Sequence, residues 1–127
     1  MIQYVFDEKV WVPAVGQGSI AIEAHSSLDP SIRAQITSKL NDAHTATEVI
    51  AERAFLEKFE GGCSIPVFAH ATSDLNGIIL RGGIISLDGK QKILKERSSD
   101  EPIDLGRGLA LEAVSYTHLT LPTILLV

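Results

Sequence analysis

The single cysteine of the 127-residue chain, Cys63, is the side chain best suited to covalent chemistry. It follows Gly61 and Gly62 in the segment FLEKFEGGCSIPVFAHA, where a helical pattern gives way to an alternating one. Two glycines beside a thiol allow a bulky group to approach the main chain. A helix C-terminus, however, raises the pKa of a nearby thiol. Cys63 therefore suits the capture of a strong electrophile better than the role of a protease-type nucleophile.

Four histidines could serve as metal ligands or as a base for Cys63: His25, His44, His70 and His118. They lie far apart in sequence and do not show the close ligand pairs typical of zinc sites, so we predict no metal site. His70 is the candidate base, but seven residues along an extended strand would place it roughly 20 Å from Cys63. That distance disfavours a simple thiol enzyme.

The composition is typical of one soluble globular domain, with 45% hydrophobic and 21% charged residues. No apolar run reaches the roughly 18 residues that a membrane helix needs, and the start lacks a signal-peptide pattern. A single cysteine excludes an internal disulfide and favours a reducing, cytoplasmic location. The net charge of −5, with scattered basic residues, disfavours nucleic-acid binding.

The first half of the chain predicts one strand and two helices. The segment GSIAIEAH (18–25) alternates apolar and polar residues, as a strand does. A helix should begin with Asp29 as N-cap and Pro30 at its first position. Its apolar stripe is formed by Ile32, Ile36 and Leu40. A second, largely buried helix is expected over 45–60, with Thr45 and Glu48 as a capping box and Gly61-Gly62 as its end.

The second half predicts a three-stranded antiparallel meander and a closing helix. Asn76-Gly77 and Asp88-Gly89 are hairpin-turn dipeptides, and Gly82-Gly83 indicates a bulge or a close contact. The closing helix should start near Asp104 and is weakened by Gly106 and Gly108. The predicted fold class is α+β: a small three-stranded antiparallel sheet packed with helices and preceded by a strand.

The last fourteen residues, VSYTHLTLPTILLV (114–127), do not fit this organisation. They break the helical pattern, and the first ten resemble a translated transposon adaptor from short-read sequencing libraries. We therefore predict that residues 114–127 are a non-native tail, which fold reasoning should exclude.

Three ordered segments resemble the hydroxymethylbilane synthase family, also called porphobilinogen deaminase. They are PAVGQGSIAIE (13–23), AERAFLEKFEGGCSIPV (51–67) and GGIISLDGK (82–90), and the resemblance spans about residues 10 to 113. It implies that residues 1–26 are the end of a first-domain crossover segment without its sheet partners. It also implies that residues 27–113 form the C-terminal cofactor-attachment domain.

The resemblance implies a transferase that joins four porphobilinogen units into hydroxymethylbilane, with loss of ammonia, in haem biosynthesis. Cys63 would hold a covalent dipyrromethane cofactor through a thioether. Gln17 and Gly18 of the G-Q-G segment would contact that cofactor, although this segment could also be only a tight turn. Glu52 and Arg53 are expected to form a structural polar network. The expected partners are porphobilinogen and the growing pyrrole chain, with a monomeric full-length protein.

The family's catalytic aspartate and its basic clusters for acetate and propionate side chains have no counterpart here. We therefore expect no catalytic residue in this chain and no activity of the 127-residue chain by itself. Two alternatives stay open: a thiol enzyme that uses Cys63 as a plain nucleophile, and a non-catalytic α+β interaction module with a buried, inert cysteine.

Overall fold

The computed structural model describes residues 1–59 and 66–120, with side chains up to residue 115. Within these residues the chain forms three helices and three strands in an α+β arrangement, as predicted. The elements are α1 (Pro30–Leu40), α2 (Ala43–Glu57), β1 (Val67–Asp74), β2 (Gly77–Ile85), β3 (Lys92–Ser99) and α3 (Pro102–Thr120).

The sheet is the predicted antiparallel meander, with the strand order β1-β2-β3. Both expected hairpins are present, and their glycines adopt positive φ: 116° at Gly77 and 70° at Gly89. The first turn lies one residue earlier than predicted, because Asp74 already pairs with Gly77 and leaves Leu75 and Asn76 as the loop. Glycine tolerates this backbone conformation without the strain that a Cβ atom would add.

The glycine pair in the middle of β2 marks a close contact rather than a bulge. Gly82 and Gly83 pair in unbroken register with both neighbouring strands. A Cβ atom on Gly82 would lie 3.0 Å from Cζ of Phe55 on α2, and one on Gly83 would lie 2.8 Å from Cζ of Phe68. The glycines therefore let an aromatic ring approach each face of the central strand.

The core lies between one face of the sheet and the two helices α2 and α3. Its largest fully buried side chains are Phe55, Leu80, Ile84, Leu105 and Leu109. Helices on a single face of an antiparallel sheet are a stable two-layer arrangement. The predicted burial of the second helix is thus confirmed along its inner side.

The start of α2 differs from the predicted capping box. The N-cap is Asp42, whose Oδ1 accepts a hydrogen bond from the Thr45 backbone N–H at 2.8 Å. Glu48 is committed elsewhere, because its Oε1 accepts hydrogen bonds from Ser73 on β1. A tertiary contact thus replaces the local cap. The helix ends at Glu57, and the predicted stop at Gly61-Gly62 lies outside the described residues.

Helix α3 begins at Pro102, two residues before the predicted start, so that Asp104 lies in its first turn. Gly106 is a packing position: a Cβ atom there would lie 2.7 Å from both Cβ of Ala54 and the backbone nitrogen of Phe55. The helical backbone continues to Thr120, so the predicted break of the helix at residue 114 is wrong. Residues 114–120 include neither glycine nor proline, the two residues that disfavour a helix interior most.

Most of residues 1–40 lie outside the core, although Val15 packs against it. Helix α1 starts as predicted, with Asp29 as N-cap and Pro30 in the first turn, but it has no buried residue and packs against no other described element. The predicted strand at 18–25 is wrong: no described strand lies beside this segment, and all eight residues are exposed. A strand needs a hydrogen-bonding neighbour, which periodicity alone does not supply.

Candidate functional site

The G-Q-G segment forms two overlapping tight turns. The Gln17 N–H donates to the carbonyl of Ala14 at 3.0 Å, and the Ser19 N–H donates to the carbonyl of Gly16 at 3.2 Å. The Gln17 side chain closes the first turn, because its Oε1 accepts from the Ala14 N–H at 3.1 Å. Gly16 and Gly18 have φ values of 70° and 87°, a conformation that favours glycine.

The two glycines of this turn have different surroundings. A Cβ atom on Gly18 would meet nothing within 4 Å, whereas one on Gly16 would lie 3.7 Å from the Arg53 guanidinium. Gln17 and Gly18 are both exposed, so this side of the turn is open to a ligand. Among the described residues, neither the Gly18 N–H nor the Gln17 amide nitrogen has a hydrogen-bond acceptor.

A buried carboxylate holds the closed side of the turn. Glu52 on α2 is only 5% exposed. Its Oε2 accepts from the Gly16 N–H at 2.7 Å and its Oε1 from the Ala71 N–H at 2.8 Å. The Nδ1 atom of His70 lies 3.4 Å from Oε1. Glu52 therefore belongs to a structural polar network, as predicted. The sequence did not show which groups it joins.

Arg53 lies on the outer side of α2 and is exposed. Its guanidinium lies near Gly16 and contributes positive charge beside the turn. An arginine can bind carboxylates through several N–H groups at once. Arg53 is thus a basic side chain beside the G-Q-G turn, and the sequence had suggested only a structural role for it.

Cys63 and the segment around it lie outside the described residues, which resume at Pro66. Both flanks of the segment are attached to the domain. Before it, the Phe59 ring lies 5.2 Å from the Phe55 ring, centroid to centroid. After it, the Pro66 carbonyl accepts from the Ile85 N–H at 3.1 Å. Residues Val15, Phe59 and Val67 all pack against the same hydrophobic core cluster.

The carboxyl groups with lowered pKa lie at helix and turn ends. Hydrogen bonds from Ser31 hold the pKa of Asp29 below its ordinary value, and hydrogen bonds from Thr45 do the same for Asp42. The Ser86 hydroxyl similarly lowers the pKa of Asp88 in the second hairpin. These three aspartates stabilise local structure.

Three further observations concern the described residues alone. No three or more His, Cys, Asp and Glu side chains come together there in a way that could hold a metal ion. No helix within residues 1–59 and 66–120 has the length and apolar character to span a membrane. His70, the candidate base for Cys63, is instead directed at Glu52.

Comparison with known proteins identifies the family. The family model described as the C-terminal domain of porphobilinogen deaminase matches residues 46–115. The chain is 56% identical over 86 residues to the porphobilinogen deaminase of Cytophaga hutchinsonii, covering 68% of this chain and 28% of that relative. It is 43% identical over 98 residues to the enzyme of Desulfosudis oleivorans, covering 77% of this chain and 32% of the relative.

A third relative matches a longer part of the chain. The porphobilinogen deaminase of Rubrobacter xylanophilus is 42% identical over 106 residues, which cover 84% of this chain and 34% of that protein. The chain thus spans about a third of the length of these relatives. The family match covers more than half of the chain, including most of α2, the whole sheet and most of α3. The chain belongs to the porphobilinogen deaminase family.

Proposed function

We propose that the chain is the C-terminal part of a hydroxymethylbilane synthase, which joins four porphobilinogen units head to tail with release of ammonia. The observation that carries this proposal is the family match over residues 46–115, together with relatives up to 56% identical that bear the name porphobilinogen deaminase. We call the proposed full-length protein the parent protein. Its activity is a transferase step in tetrapyrrole and haem biosynthesis.

The part of the site proposed for this chain is the anchor of a dipyrromethane cofactor on Cys63. A thioether between Sγ and a methylene carbon resists hydrolysis, so a single sulfur suffices without a second cysteine. When bound, dipyrromethane would supply the first two pyrrole rings, to which substrate units add. The glycines at positions 61 and 62 would leave room for this group beside the main chain.

The G-Q-G turn is proposed to contact the same cofactor. Its open side fits such a role, because Gly18 has no neighbour within 4 Å of a Cβ position and Gln17 is exposed. The Gly18 N–H and the Gln17 amide nitrogen would donate hydrogen bonds to carboxylate oxygens. The turn also lies beside β1, since Gly16 and Ala71 share one carboxylate. Ala71 is four residues, or about 13 Å, beyond the first residue of β1.

The chain by itself is proposed to be inactive. Every pyrrole unit brings two carboxylates, and binding several units requires many cationic groups. The chain has 11 basic residues against 16 acidic ones, which gives its net charge of −5. The additional cations and the catalytic aspartate are therefore assigned to the rest of the parent protein. Turnover of porphobilinogen by the purified 127-residue chain would contradict this assignment.

The test of the anchor is mass spectrometry of the parent protein after proteolysis. The peptide that contains Cys63 should carry the added mass of two pyrrole units, and the intact protein should colour with Ehrlich's reagent. The Cys63→Ala variant is the control and should lose both signals. An unmodified Cys63 in active protein would contradict the proposal and would favour an inert, buried cysteine.

The division of the chain is a further part of the proposal. Residues 1–26 would be the end of a first-domain crossover, residues 27–113 the cofactor-attachment domain and residues 114–127 a non-native tail. The support for the tail is its resemblance to translated adaptor sequence. Sequencing the same locus from adaptor-free reads should recover a different continuation after Ala113, whereas recovery of VSYTHLTLPT would contradict it.

A further inference from the structure

The free edge of the sheet is covered by two carboxylates of helix α2. Among the described strands β1 lies at the edge of the sheet, so the N–H groups on its outer side have no partner in another described strand. Glu48 and Glu52 lie one helical turn apart and face this edge. Glu52 accepts from the Ala71 N–H and Glu48 from the Ser73 N–H, two residues further along the strand. The helical spacing thus matches the spacing of outward N–H groups.

The two carboxylates use their oxygens differently. Glu48 accepts both the N–H and the hydroxyl of Ser73 with the same atom, Oε1, at 2.7 and 2.8 Å. Glu52 accepts with both oxygens, and the two donors come from distant parts of the chain. Gly16 is 36 residues before Glu52, and Ala71 is 19 residues after it. Glu52 alone of the pair therefore connects the G-Q-G turn to the sheet.

We propose that Glu52 is a positioning residue that holds the G-Q-G turn in a fixed place relative to β1. A role confined to the sheet would need only the hydrogen bond to Ala71, whereas the hydrogen bond to Gly16 also holds the turn. Glu52 thus holds Gln17 and Gly18 beside strand β1, whose first residue, Val67, comes four residues after Cys63 in the sequence. That functional consequence rests on the proposed function, whereas the link itself does not.

The chemistry of the link makes one substitution especially informative. A carboxylate offers two acceptor oxygens, whereas an amide offers one oxygen and one NH2 donor. Glu52→Gln must therefore turn an NH2 group toward either the Gly16 N–H or the Ala71 N–H. Glu48→Gln can keep both of its hydrogen bonds, because they converge on one oxygen. The second variant is thus a matched control on the same helix.

The experiment is amide hydrogen exchange of the complete 127-residue chain, resolved by NMR. In Glu52→Gln, exchange at Gly16, at Ala71 or at both should become about tenfold faster, as expected for one lost buried hydrogen bond. The Ser73 and Leu105 amides should keep their rates. In Glu48→Gln, the Gly16 rate should not change. Two results for Glu52→Gln would overturn the proposal. One is unchanged exchange rates at the Gly16 and Ala71 amides, and the other is an equal increase of the exchange rates throughout the chain.

A second measurement needs no variant. In the unsubstituted chain, the Gly16 amide should exchange at least about tenfold more slowly than the Gly18 amide, after correction for intrinsic rates. The two glycines share one turn, and they differ in that Gly16 donates to Glu52. Equal protection of the two amides would overturn the proposal even if Glu52→Gln failed to fold.

In the parent protein, Glu52→Gln should retain the dipyrromethane mass on Cys63 and raise KM for porphobilinogen by about tenfold, whereas Glu48→Gln should leave KM unchanged. A parallel loss of kcat and of folded protein, with KM unchanged, would contradict the positioning role. Absence of dipyrromethane from unsubstituted parent protein would instead contradict the proposed function and leave the exchange result standing.

Discussion

Phe55 and Trp11 are both large aromatic residues, yet Phe55 is fully buried and Trp11 exposes 65% of its surface. The Phe55 ring packs against Gly82 of β2, and its backbone nitrogen lies beside Gly106 of α3, within a two-layer domain. Trp11 lies in the segment before α1 and contacts Phe6, which is also exposed. An apolar side chain becomes part of a core only where a second layer of structure covers it.

The same difference separates α1 from α2. Both helices begin at an aspartate N-cap, but α1 has no buried residue, whereas α2 buries Ala51, Glu52, Ala54 and Phe55. Residues 1–40 therefore present apolar surface without a described partner, and the elements from α2 to α3 form the packed unit. The G-Q-G turn is the exception in the first region, because Glu52 and the core hold it.

The largest expected effect comes from removing the buried ring. Phe55→Ala should lower the free energy of unfolding by about 3–5 kcal/mol, because it leaves a cavity between the sheet and both helices. Urea denaturation followed by circular dichroism would measure this change. Trp11→Ala is the matched control and should change stability by no more than about 0.5 kcal/mol. Equal losses in the two variants would contradict the division into two regions.

A smaller effect is expected from overpacking the contact between α2 and α3. Gly106→Ala should cost about 1–3 kcal/mol, since its Cβ atom would meet the α2 backbone at Phe55. Gly108→Ala is the control two residues away. Its Cβ atom would meet the end of the flexible Arg97 side chain, which can move. Thermal unfolding of both variants should rank Gly106→Ala as clearly less stable. The reverse order would show that the helices are not in this contact.

The smallest effect compares the two N-caps. Asp42→Ala should lower Tm by a few degrees because α2 is part of the packed unit, whereas Asp29→Ala on α1 should leave Tm unchanged. The pKa of Asp42 is lowered from 3.8 in the folded chain by its bonds to Thr45. Its contribution should therefore be complete above pH 3.8 and disappear as pH falls through the lower, folded value. A pH series of thermal melts on both variants would measure this. An Asp42 effect that grew on acidification would contradict the cap.

Local signals in the sequence were sufficient for much of the fold. Asp29 and Pro30 determine the start of α1 through residues that lie within one helical turn of each other. Gly77 and Gly89 supply the positive φ of the hairpins. The meander follows because antiparallel neighbours need only short loops. These predictions depend on neighbours in sequence, which are always present.

Predictions that depend on distant partners failed or stayed incomplete. The alternating segment 18–25 forms no strand, because no described strand lies beside it. Glu48 matches a capping box, but the edge of β1 competes for its carboxylate, and Asp42 becomes the cap instead. Glu52 was expected in a polar network, yet its link to Gly16 spans 36 residues and has no sequence signature. The roles of Cys63, Gln17 and Gly18 remain predictions.

The most direct test of the account replaces Cys63 by alanine in the parent protein and measures hydroxymethylbilane formation from porphobilinogen. The account predicts that Cys63→Ala carries no pyrrole, as judged by Ehrlich's reagent and intact mass, and forms no product. Normal product formation with alanine at position 63 would contradict it, because the chain of pyrroles would then not need Cys63 as its anchor.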